Sequence, residues 1–159
     1  DWSSDVCSSD LQIEGAWVPR RYDQRDTLNL DLDYRIGEHW RLNLAGRYHS
    51  GWPITPVALT EGDGDDGEPD EVLVFGPLNG ERLPAYRRLD LRASRDWGVS
   101  FGTLTFFLDI QNVLDHRNAA GLDIAFDQEE GTLTVDREYW VGFFPSAGVV
   151  FRFRGGSRP

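Results

Sequence analysis

The side chains best equipped for chemistry in this chain are its acids. Seven of them, and no base, fall between Glu61 and Glu71. Clustered carboxylates are what a hard cation such as calcium takes as ligands. The EF-hand pattern fails here: with Gly67 as the sixth loop position, the first and third fall on Gly62 and Gly64, which carry no side-chain oxygen. The run is therefore expected to be a solvated surface loop. His39, His49 and His116 stand far apart and share no metal-ligand spacing. No glycine-rich phosphate loop and no nucleophile elbow occurs. The expectation is no catalytic residue, no enzymatic activity, no cofactor and no resident metal. All sixteen basic residues are arginine, they form no cluster with interleaved aromatics, and the net charge is -11. That balance argues against nucleic-acid binding.

A second set of charges is spread in rows. Asp31, Asp33 and Arg35 alternate with Leu28, Leu30, Leu32, Tyr34 and Ile36 across Thr27 to Ile36. Period two is the signature of a strand with one polar and one apolar face. Gly37-Glu38-His39 is a turn signal. Alternation resumes with Trp40, Leu42, Leu44, Gly46 and Tyr48, giving a hairpin of two long strands. A long polar connection runs from Pro53 to about Leu83. A third strand is expected over Ala85 to Arg95, where Arg88, Asp90 and Arg92 alternate with Leu89, Leu91 and Ala93. Asp96-Trp97-Gly98 reads as a short turn. The fourth strand covers Phe101 to Val113, with Leu104, Phe106, Leu108 and Ile110 on one face and Thr103, Thr105, Asp109 and Gln111 on the other; Phe107 is the exception. A second long connection, Leu114 to Phe144, contains a small hairpin, Leu122 to Phe126 and Thr132 to Asp136. The last strand is Ser146 to Phe153. Cross-strand ion pairs are expected between Asp31, Asp33 or Arg35 and Arg41 or Arg47, and between Arg88, Asp90 or Arg92 and Asp109.

These strands bound the class. At 13% aromatic the chain is expected to be ordered. No apolar run approaches the ~18–20 residues of a membrane helix, but a barrel strand needs only ~9–11 alternating residues. Connections alternate between short and long, as in an outer-membrane barrel. A soluble β-sandwich alternates in the same way, so alternation alone leaves both open. Strands of about ten residues exceed the usual ~5–6. Trp40, Tyr48, Trp52, Tyr86, Trp97 and Phe101 fall at strand ends, which suits interfacial girdles.

Methionine is absent, so the chain is expected to be part of a longer one. Residues 1–11 repeat Ser-Ser-Asp around Cys7 without any period, and are expected to be a non-native or disordered leader. The single cysteine permits no internal disulfide. Residues 154–159 read as a polar tail.

Three motifs fall in order over residues 12–153. Leu83-Pro84-Ala85-Tyr86 precedes Leu89-Asp90-Leu91-Arg92. Asn112-Val113-Leu114-Asp115 closes the fourth strand. Pro145-Ser146-Ala147-Gly148-Val149 leads into Phe151-Arg152-Phe153. Together they resemble the C-terminal end of a TonB-dependent outer-membrane receptor. The resemblance implies an all-β fold: an antiparallel up-and-down transmembrane barrel of which only the last five or so strands are present. It implies a Gram-negative outer-membrane location and energy-coupled uptake of a scarce nutrient such as a siderophore, haem, cobalamin or a glycan. Implied partners are the bilayer with its lipopolysaccharide, the TonB complex through an N-terminal region not in this sequence, and the barrel-assembly machinery, which would read Phe153. Lumen-facing Asp31, Asp33, Arg35, Arg88, Asp90, Arg92 and Asp109, with the loops at Asp63 to Glu71 and Asp115 to Glu138, would meet the substrate. A passive porin or structural outer-membrane barrel, and a soluble β-sandwich binding module, are the alternatives.

Overall fold

The computed structural model describes residues 10–63, 69–127 and 132–154. All of its regular structure is β. In chain order the strands are β1 (Asp10–Ile13), β2 (Ala16–Pro19), β3 (Thr27–Ile36), β4 (Trp40–His49), β5 (Pro53–Ile54), β6 (Val57–Asp63), β7 (Pro69–Phe75), β8 (Glu81–Arg82), β9 (Tyr86–Val99), β10 (Gly102–Gln111), β11 (Ala119–Asp127), β12 (Thr132–Tyr139) and β13 (Phe144–Phe153). The chain divides into two compact units.

One unit comprises Thr27–Tyr48, Tyr86–Asn118 and the chain from Val141 onward. Its five long strands are the five expected from period two, and they form a single sheet in the order β13-β10-β9-β4-β3. The β9–β10 and β10–β13 pairs are antiparallel: Phe106 faces Arg95 on one side and Val149 on the other, and Leu104 faces Trp97 and Phe151. Directly paired residues share a face. Leu91, Ala93, Leu104, Phe106, Leu108, Ala147, Val149 and Phe151 therefore make one apolar surface. Arg88, Asp90, Arg92, Asp109 and Arg152 stand on the reverse, whereas Arg87 and Arg95 of β9 share the parity of the apolar residues.

The third connection differs from expectation. β9 does not turn at Asp96-Trp97-Gly98 but continues to Val99, and the chain reverses at Ser100-Phe101. Gly98 pairs with Thr103, and the Thr105 hydroxyl donates to Asp96 Oδ1 at 2.5 Å. Those cross-strand bonds extend the ladder past residues whose types favour a turn. Phe107, the exception to alternation, is explained by its partner. It lies over Gly148, where an added Cβ would meet the ring at 2.5 Å, and Arg92 caps the ring at 4.5 Å. An aromatic ring covering a cross-strand glycine fills the space that the glycine leaves on the polar face.

The apolar surface has no cover among the described residues of this unit. Leu28 is 64% exposed and Tyr34 67%, and every residue of β3 is exposed. Among the described residues, the buried side chains of this unit are polar: Thr105 in β10, and Asn112 and Asn118 in the chain that follows it.

The other unit holds the long connections. The hairpins β6–β7 and β11–β12 and a short β5–β8 pairing fall in those connections, and the β1–β2 hairpin that precedes β3 joins the same unit. The β11–β12 hairpin was expected. The segment after Pro53, read as a polar connection, instead pairs Val57 to Asp63 with Phe75 to Pro69. Val57 and Leu59 opposite Phe75 and Leu73 supply the strand-forming side chains that the adjacent acids obscured. Strand β1 begins at Asp10, within the stretch set aside as a leader. The buried apolar side chains here are Leu83 and Ala119. Asp23 is buried with Arg82: the guanidinium pairs with the Asp23 carboxylate and also donates to the backbone oxygens of Asp23 at 2.9 Å and Gly51 at 3.0 Å. Gly51 is required at its position, because a Cβ there would collide with the Leu83 carbonyl.

Candidate functional site

The charged face of the five-stranded sheet carries the residues expected to line a lumen. Alternation on β9 and β10 places Arg88, Asp90, Arg92 and Asp109 on this face, and the same rule gives Asp31, Asp33 and Arg35 of β3 one common side. Arg92 Nη1 meets Asp109 Oδ2 at 3.0 Å, as expected. Arg41 and Asp33 approach to 3.8 Å, a loose pair with both side chains half-exposed. Asp31 accepts from Asn43 Nδ2 at 2.6 Å rather than from an arginine. Arg88 Nε donates to both oxygens of Asp90, at 2.7 and 2.9 Å, and its Nη2 donates to Gln111 at 3.1 Å. Asp31, Arg47, Arg88 and Asp90 line one cavity of about 200 Å³; Arg35 lines another of about 390 Å³ with Arg41 and Asp96. The site residues are thus brought to one face in three groups. Many of their hydrogen bonds run between neighbours on that wall, which fixes the rotamers of a polar surface.

At the end of this ladder the Asn112-Val113-Leu114-Asp115 motif forms a closed turn. Asn112 is 1% exposed with φ 51°, a left-handed conformation that asparagine tolerates. Its backbone N–H donates to Asp90 Oδ1 at 2.8 Å. Its side chain donates to the His116 carbonyl at 3.0 Å and accepts the His116 N–H at 3.2 Å. Asp115, also at positive φ (48°), accepts the Phe143 N–H at 2.9 Å. Asn118 makes reciprocal bonds to the Arg87 backbone, at 2.7 and 2.8 Å. Asp90 therefore has two roles, one to Arg88 and one to this turn. The four residues stood out in the sequence; the hydrogen-bonded clasp they make on β9 did not.

The aromatic residues expected at interfaces divide. Trp40 and Tyr48 share the parity of Leu42 and Leu44, and Trp97 that of Leu91, so these three stand on the apolar face. Phe101 packs on Phe151 at 5.5 Å, and Phe151 on Phe153 at 4.4 Å, continuing an aromatic row at the short-turn end. Tyr86 has the parity of Arg88 and Asp90 and stands on the charged face, apart from Trp40, Tyr48 and Trp97. Trp52 belongs to the unit of long connections. There it stacks on His49 at 5.4 Å and meets Tyr22 edge-on at 6.0 Å.

That second unit contains a cavity of about 700 Å³. Tyr22, Trp52, Phe75, Leu122 and Trp140 give it an aromatic and apolar lining, and Arg21 and Glu138 add charge. Its volume and lining suit a small molecule with an apolar or aromatic face. It was missed in the sequence because its residues come from three separate segments. The acidic run of the long loop lies largely outside the described residues. Among the described residues, no three of the His, Cys, Asp and Glu side chains converge as metal ligands.

The chain matches no protein-family model, no curated protein and no solved structure.

Proposed function

We propose that this chain forms the closing strands and outer loops of a TonB-dependent receptor barrel, which takes up a scarce nutrient across a Gram-negative outer membrane. The observation that carries the reading is the five-stranded sheet with one charged face and one apolar face that no described residue of its own unit covers. A soluble sandwich covers such a face with a second sheet; lipid does so for a barrel. Four of the five strands have 10 residues, the length of a tilted crossing, and β9 extends further, to 14. The short turns fall at one end of the sheet, and the chain leaves from the other end into its long connections. Sheet edges at β3 and β13 are where further strands of a closed barrel would pair. The charged face would line the lumen, and the aromatic cavity of the long connections would receive substrate from outside.

A pair of substitutions one residue apart in the full-length gene product tests this. Leu30→Arg places a charge toward lipid and costs ~2–4 kcal/mol near the midplane, whereas Asp31→Arg faces the lumen and is tolerated. The expected result is loss of the heat-modifiable folded band for the first and its retention for the second. Equal damage, or a cooperatively melting protein in plain buffer without detergent, refutes the reading.

A further inference from the structure

Arg95 sets a charge well inside the apolar face, whereas Arg87 of the same parity lies at the strand's start. Arg95 pairs with Phe106 and so points to the same side as Leu91, Ala93 and Val149. Its guanidinium lies between two indoles, 5.2 Å from the Trp40 ring and 5.0 Å from the Trp97 ring. Among the described residues its buried Nε has no hydrogen-bond partner. Aromatic faces attract a cation but accept few of its five N–H donors. A guanidinium aimed at lipid needs an anion.

The position fits one. Arg95 is four residues from the end of β9 at Val99. At ~3.3 Å per residue and a barrel tilt near ~40°, its backbone lies roughly 10 Å inside the short-turn rim. Trp40 opens β4 beside the Gly37 turn, so the cation is held toward that rim. Arginine matches a phosphate bidentately through its planar fork. Resting on the barrel reading above, we infer that Arg95, clamped by Trp40 and Trp97, binds the head-group phosphate of a phospholipid in the periplasmic leaflet. The site would anchor the closing strands at a fixed depth.

A purely structural clamp would stabilise the sheet equally in any lipid, and this separates the two roles. The full-length protein and its Arg95→Gln and Arg95→Lys variants are folded into vesicles of digalactosyldiacylglycerol, which has no phosphate, and of phosphatidylglycerol. Unfolding equilibria are measured in both. The expected result is a loss for Arg95→Gln that is roughly fivefold larger in phosphatidylglycerol, the scale of one basic side chain at an anionic surface. Arg95→Lys should fall between the two. Equal losses in the two vesicles overturn the inference while leaving the barrel intact. Failure of the wild-type protein to give a folded, protease-protected band in either vesicle overturns the barrel reading, and the inference with it.

Discussion

Truncating Asn112 to alanine should be among the most damaging single changes on the five-stranded sheet. The side chain is almost fully buried and makes two hydrogen bonds to the His116 backbone. Each contributes ~1 kcal/mol net, and a buried N–H left without a partner costs a further ~1–3 kcal/mol. The His116 carbonyl keeps a long contact from Asn118 at 3.4 Å, so the penalty falls on its N–H. Alanine must also adopt φ near 51°, which adds ~1–2 kcal/mol relative to a residue free to do so. The sum is ~4–7 kcal/mol. Asn112→Gly loses the same bonds but not the backbone term, so it should be the milder change by ~1 kcal/mol. That order reverses the usual preference for alanine over glycine within regular structure. Urea unfolding of the full-length protein in detergent micelles, followed by the folded gel band, measures both. Alanine within ~0.5 kcal/mol of wild type, or alanine more stable than glycine, would refute the account of this turn.

Three further outcomes are expected. Gly148→Val should destabilise by ~1–3 kcal/mol through overlap with the Phe107 ring, and a second change, Phe107→Ala, should recover part of that loss in the same titration. Asp23→Ala removes the buried carboxylate that pairs with Arg82; because Arg82 is partly exposed, the cost should be ~1.5–3 kcal/mol, and limited proteolysis should show earlier cleavage between Gly51 and Leu83. Phe153→Ala removes a ring that is 78% exposed, so equilibrium stability should barely change while membrane assembly slows; unchanged assembly kinetics in a pulse-chase experiment would rule out recognition of that ring.

Period two was enough to locate the five long strands and the β11–β12 hairpin, because the pleat is a local property of each segment. It also separated Leu28 to Ile36 from Asn29 to Arg35 without any knowledge of neighbours. It could not place the turn after β9, since the strand-continuing bonds of Asp96 and Gly98 go to Thr105 and Thr103 across the ladder. Nor could it explain Phe107, whose reason is the glycine opposite on β13. The β6–β7 hairpin was written in Val57, Leu59, Val72 and Val74 but hidden by the acids between them. Asp90 looked like one more lumen charge; only the folded chain gives it the Asn112 N–H to hold. The adjacency of β4 and β9 has no local signal at all, because it joins strands separated by the whole first long connection. That pairing sets Arg95 beside Trp40. Alternation is decided by each residue's immediate neighbours along the chain, whereas register, strand order and the aromatic cavity arise only when distant segments meet.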